Sequence, residues 1–282
     1  SNRAMDLCGT SWKGYNEEEL ALKARKLRFD SLGVPLFGLF YWALASTLSE
    51  VDSLPPATAG LGASAFRIVL AVLAVFVLFV HSQGSPAPTK DTDAFYSQQK
   101  IGQWIYLTRH CLALQAWHQI FTVMSSFGPQ MNARAHGASL IIACLGWFVT
   151  IQYFVLVVPS AGFQKECKIW SGRGVCFKEV MHVLHIPALP ISVMDLSLRS
   201  VSDLRMALSL QTNLMIVAAY VIFYLSLIMV NFRLTGKWPY KLMEDLTDAK
   251  SWVTFLIKQV SILNVFLLLN WGLISAKIAF WS

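Results

Sequence analysis

Seven stretches of the chain are long and apolar enough, at roughly 17–25 residues, to cross a hydrocarbon layer of about 30 Å. They lie near 32–49, 65–81, 103–125, 138–159, 179–196, 209–231 and 256–280. The third and fifth are the least apolar: Arg109, His110 and His118 interrupt one, and His182, His185, Pro187 and Pro190 the other. Between the stretches stand residues that end helices, at Leu54-Pro55-Pro56, Gly84-Ser85-Pro86-Ala87-Pro88, Gly128-Pro129 and Ser171-Gly172-Arg173-Gly174. The pattern predicts an all-α fold, a polytopic transmembrane helix bundle of about seven spans over residues 32–282, with a charged segment, 1–31, ahead of it. Glu17, Glu18 and Glu19 followed by Lys23, Arg25, Lys26 and Arg28 predict an amphipathic surface helix in that segment. Its acidic content argues against an intact transit peptide, while the Ser start leaves room for sequence removed upstream.

Composition supports a bilayer solvent. The chain is 55% hydrophobic and 14% charged, with a mean hydropathy of +0.52, whereas soluble domains carry about 25% charged residues. The net charge of +7 suggests nucleic acid, yet no basic block adjoins a recognition motif, so no nucleic-acid partner is expected. The basic residues instead sort by loop. Residues 1–31 and the connections 82–102, 160–178 and 232–258 hold seventeen Lys and Arg, and the other side holds five, which predicts seven spans with the N-terminus inside. Five Cys, two of them within apolar stretches, do not form a disulfide framework; Cys167 and Cys176 share one loop and would pair only in an oxidising space.

With that topology the third and fifth spans enter from the same side. Thr108 and His185 lie about five and six residues into them, so at about 1.5 Å per residue both sit roughly 8–10 Å below the inner boundary. If the two helices are neighbours, a hydroxyl and an imidazole meet there. On the third span Thr108, Cys111, Gln115, His118 and Thr122 fall on one helical face. Gln115 and Thr122 suit interhelical hydrogen bonding, Cys111 suits packing, and His118 stands between a satisfied core histidine and a site residue. Arg109 and His110 point off that face, with Arg109 close enough to the span's start to snorkel to the interface. His182 and His185 stack on one face of the fifth span. A zinc site wants three or four ligands, and only His118 and Asp195 remain to complete one, without a recognised spacing; no metal and no cofactor is expected. A base at His185 with His182 beside it suits the pair better, because neutral imidazole enters a membrane cheaply and accepts a proton near neutral pH. A Thr108 hydroxyl deprotonated by it would attack an ester carbonyl.

The order Trp104-Ile105-Tyr106-Leu107-Thr108, Leu114-Gln115-Ala116, His182-Val183-Leu184-His185 with Pro190 and Asp195 following, and Thr235-Gly236-Lys237-Trp238-Pro239-Tyr240 resembles the androgen-induced protein family over roughly residues 65–280. Those are intramembrane threonine hydrolases of fatty acid esters of hydroxy fatty acids. The resemblance implies Thr108 as nucleophile and His185 as base, a fatty-acyl ester as substrate, and residence in the endoplasmic reticulum or plasma membrane; with membrane lipids around the site, His182, His118 and Gln115 are expected as polar supports. The sequence departs from the family at Met181, Ile186 and Pro187 and in its added first span. Trp238 and Tyr240 then read as interfacial anchors or as a wall of the substrate pocket. A second expectation is a catalytically silent accessory subunit, bound to other membrane subunits and resident in the mitochondrial inner membrane in that case. A transporter or proton channel is a third, since intramembrane histidines also suit proton relays.

Overall fold

A computed structural model describes residues 16–48, 61–84, 90, 93–205 and 209–281. The expected turns at Leu54-Pro55-Pro56 and Ser85-Pro86-Ala87-Pro88, and the first fifteen residues, lie outside the described residues. Every regular element among those described is helical: α1 (Glu17–Leu48), α2 (Leu61–Phe79), α3 (Asp93–Ser97), α4 (Leu107–Met124), α5 (Pro129–Gly137), α6 (Ser139–Gln152), α7 (Ala161–Gly172), α8 (Phe177–His185), α9 (Ala188–Leu198), α10 (Val201–Arg205), α11 (Leu210–Thr235) and α12 (Ala249–Trp281). The chain folds as an all-α helical bundle of a multi-pass membrane protein.

Among the described residues six helices or helix pairs are long and apolar enough to cross a membrane: Glu17–Leu48, Gly62–Ser82, Pro129–Val157, Phe177–Leu198, Leu210–Thr235 and Ala249–Trp281. The expected third span is not among them. It is α4, 18 residues long and buried over most of its length from Arg109 to Thr122, with α1, α2, α5, α6 and α9 packed around it. A helix sheathed by other helices needs no apolar surface for lipid, which is why its Arg, His and Gln side chains are tolerated. The outer helices do the opposite. Val69, Val72, Met215, Ile222, Val265 and Leu273 all point outward and exposed, an apolar face that suits lipid.

The charged stretch before the first span corrects the expectation of a separate surface helix. From Glu17 it is continuous with the span, and Glu19, Lys23, Lys26 and Asp30 are buried against the bundle. Glycines on α1 make room for α4 and the turn before it. A Cβ at Gly33 or Gly38 would overlap the indole of Trp104 or Trp117. The two indole N–H groups instead reach the carbonyls of Phe29 and Val34, at 3.3 and 2.9 Å, which are the carbonyls four residues before those glycines.

Breaks in the helices follow the residues that forbid continuation. Pro129 opens α5 after an extended Gly128, and Gly174, with φ of 73°, turns the chain after α7. Pro187 has no N–H to donate, and the fifth passage divides there into α8 and α9.

Candidate functional site

α4 and the α8–α9 passage run parallel and in step. Thr108 meets His185, Gln115 meets Ser192, His118 meets Asp195 and Thr122 meets Arg199, each pair 77 residues apart in sequence. The polar face of α4 is therefore turned toward one neighbour along its whole length. Close approach of α6 holds that neighbour in place: a Cβ at Gly146 would lie 2.3 Å from Ser192 Oγ and 2.7 Å from the Ala188 carbonyl oxygen.

At the N-terminal end of α4 Thr108 Oγ1 lies 3.2 Å from His185 Nε2. His185 Nδ1 is 2.7 Å from the Met181 carbonyl oxygen, which only accepts, so Nδ1 carries the ring proton and Nε2 presents its lone pair to the threonine hydroxyl. Tyr153 fixes the ring plane by stacking on it at 4.0 Å and 12°, and Thr150 Oγ1 donates to the His185 carbonyl oxygen at 2.7 Å. The imidazole is thus held by its backbone, its far nitrogen and its face.

Two cavities meet at this pair. An apolar chamber of about 150 Å³ runs between α6, α11 and α12, bounded by Phe148, Tyr153, Leu225, Phe255 and Leu263. A more polar vestibule of about 300 Å³ opens toward α7 and the segment after α11, past Gln103, Ser160, Lys165, Glu166 and Lys241. Thr108, His185 and Tyr240 line both. Among the described residues three further hydroxyl–imidazole pairs occur, Tyr220 with His110 at 2.8 Å, Tyr153 with His182 at 3.0 Å and Tyr41 with His118 at 2.8 Å. In the first two the phenol borders the apolar chamber and the imidazole neither cavity, and both members of the third lie away from the two cavities.

The other expected site residues fall elsewhere. His182 bonds the Tyr153 hydroxyl, and the ring of that tyrosine stacks on His185. Gln115 donates to the Ala188 carbonyl at 2.8 Å and to Ser192 Oγ at 3.0 Å, tying two helices together in mid-bundle. His118 belongs to a separate buried cluster. Its Nε2 is 3.1 Å from Asp195 Oδ2 and its Nδ1 2.8 Å from the Tyr41 hydroxyl. Arg199 grips the same carboxylate with Nε and Nη2, at 3.0 and 2.7 Å, and also reaches His136, Thr122 and the Ala135 carbonyl. His136 Nε2, on the far side of that ring, makes no hydrogen bond and lies 3.4 Å from Asp203 Oδ1. Among the described residues no three His, Cys, Asp or Glu side chains form a set that could hold a metal ion.

Two arginines correct their expected places. Arg109 does not snorkel: it is fully buried, pairs with Asp30 at 2.8 Å and donates to Ser82 Oγ at 2.7 Å. A short step from there, Lys26 Nζ donates to the His81 carbonyl at 2.8 Å. Arg199, one of the five basic residues that the loop count assigns to the outer side, is buried as well. Nothing in hydropathy distinguishes such residues from loop cations, because their partners, Asp30 and Asp195, come from other turns and helices.

Tyr224 and Tyr153, which sequence reasoning passed over, and Tyr240, which it read as an anchor or a pocket wall, shape the site as well. Tyr224 and Tyr240 meet the N–H of Leu107, both at 3.1 Å, and so satisfy a donor that the start of α4 leaves without an intrahelical acceptor. Tyr240 gets there because Gly236, left-handed with φ of 70°, ends α11, and because Trp238 stacks back on Phe232 at 4.0 Å. The sequence signal for that turn was Thr235-Gly236 ahead of Pro239. Tyr153 carried no signal at all. Comparison of the chain with family models, with curated proteins and with solved structures finds no match.

Proposed function

We propose that this protein is an intramembrane hydrolase of fatty-acyl esters in which Thr108 is the nucleophile and His185 the base. The observation that carries the reading is the Thr108 to His185 contact of 3.2 Å at the meeting of an apolar chamber and a polar vestibule. The hydroxyl gives its proton to Nε2 as its oxygen attacks the ester carbonyl. The tetrahedral intermediate then collapses, the proton on Nε2 passes to the leaving alkoxide, and an acyl-threonine remains. Water, deprotonated by the same nitrogen, hydrolyses that ester and returns Thr108. The chamber suits an acyl chain arriving sideways from the bilayer, and the vestibule supplies water and an exit for the polar product. The resemblance of the Thr108, His182–His185 and Gly236–Tyr240 motifs to the androgen-induced protein family supports the same chemistry, and with it an endoplasmic reticulum or plasma membrane residence.

The test is turnover of a long-chain acyl ester by the purified chain in proteoliposomes, with mass spectrometry of the protein during turnover. An acyl group on Thr108 is expected in the wild type and not in Thr108→Ala. Wild-type protein that neither turns over nor acylates overturns the reading. The exposed length of α12, ending in Phe280 and Trp281, favours the accessory-subunit reading as a second one. That reading expects co-purification in a larger complex with no ester turnover.

A further inference from the structure

Hydrolysis through a threonine develops negative charge on the substrate's carbonyl oxygen, and a donor is needed there that is not already committed. A count of protons around Leu107 finds one. Tyr224 sits 2.9 Å from the Ile105 carbonyl oxygen, which can only accept, so the Tyr224 proton is held there. The Leu107 N–H is shared between the two phenol oxygens, each 3.1 Å away. The Tyr240 oxygen thus accepts from the Leu107 N–H and, more weakly at 3.2 Å, from the Tyr224 hydroxyl, and among the described residues its own proton meets no acceptor, which leaves it to the cavity. Its hydroxyl lies beside the residue that precedes Thr108, and Tyr240 lines both cavities while Tyr224 lines only the apolar one. The Tyr106 ring packs edge-on against the Tyr240 ring at 5.5 Å and limits its swing. The Thr108 N–H, in the first turn of α4, likewise has no intrahelical acceptor.

We infer that Tyr240 is a catalytic residue whose hydroxyl, together with the Thr108 backbone N–H, donates to the oxyanion formed on the ester carbonyl; the inference rests on the Thr108 reading. No proton leaves Tyr240 in the cycle. It holds the charge while the electron pair of the C=O bond resides on oxygen, and releases it when the carbonyl re-forms and the alkoxide departs.

The experiment compares a long-chain acyl ester with its thionoester, in which sulfur replaces the carbonyl oxygen and accepts hydrogen bonds poorly, using the full chain in proteoliposomes. Tyr240→Phe is expected to lower kcat for the oxygen ester by about 10²–10³-fold with little change in KM. The thionoester rate should change far less, so the preference for oxygen over sulfur collapses. Tyr224→Phe, which loosens the same corner without removing the free proton, is expected to slow both esters in the same proportion. Loss of both esters alike in Tyr240→Phe, or turnover within about twofold of wild type, overturns the assignment of Tyr240 alone. A wild type with no turnover and no acyl-Thr108 removes the Thr108 reading and this one together.

Discussion

At the scale of single residues, the Met181 carbonyl matters as much as the histidine it holds, because it selects which nitrogen of His185 is bare. Thr108→Ser keeps a hydroxyl within reach and is expected to retain part of the turnover, whereas Thr108→Ala should abolish it while costing only about 1 kcal/mol of stability. Thermal melts beside the turnover assay separate the two effects. His182→Ala should slow hydrolysis less than His185→Ala, since His182 acts through the Tyr153 ring and borders neither cavity. Equal and complete loss in both variants would give His182 a direct part. Thr108 and His185 were legible as a candidate pair from their equal depth, the stacked histidines and the order of motifs, while the adjacency of their helices came only from packing. The separate place of His118 was not legible, because its partners Tyr41 and Asp195 come from α1 and α9 and share no spacing with it.

Elements are held by a seam whose register is constant, and the seam makes two expectations concrete. Gly146→Val places side-chain atoms where Ser192 Oγ and the Ala188 carbonyl now lie. It should push α9 from α6, lower the melting temperature and reduce turnover by disturbing His185 from behind. A Gly146→Val protein with wild-type melting and turnover would show that the seam yields freely. The buried pair of Arg109 and Asp30 ties α4 to α1. Removing one partner strands a charge in a low-dielectric interior, so Asp30→Leu is expected to cost about 3–5 kcal/mol. Asp30→Leu with Arg109→Leu should recover much of that loss. Denaturant unfolding in detergent measures both, and a double variant less stable than the single one would refute the pairing account.

Across the whole molecule, charge contacts gather the inner connections at one end. Lys90 meets Glu18 at 2.5 Å, Arg173 meets Glu19 at 3.5 Å, and Tyr240 reaches the start of α4. At the other end Lys277 donates to the Arg199 carbonyl at 2.8 Å, and Arg134 to Ser46. Because the Phe177–Leu198 passage between them is long and apolar enough to cross, α7 and the end holding Ser200 are expected on opposite sides of the membrane. In sealed vesicles of one orientation, an impermeant thiol reagent should label Lys168→Cys and Ser200→Cys from opposite sides. Labelling of both from one side would overturn the arrangement.

Hydropathy, helix breakers and the distribution of Lys and Arg were enough to read an all-α membrane bundle, the place of most passages and the same-side entry of the two passages that carry Thr108 and His185. Those properties are one-dimensional: burial in lipid depends on run length, and orientation on charge counted along the chain. Contacts between distant segments carry no such periodic mark. That α4 lies inside the bundle and not against lipid, that Asp30 neutralises Arg109, and that Met181 sets the tautomer of His185 all depend on which helices become neighbours. Packing decided the cavities as well, since their walls come from five or more separate segments. The spare proton of Tyr240 is the clearest case: it exists only because a left-handed glycine after α11 brings one phenol beside another at the first turn of α4.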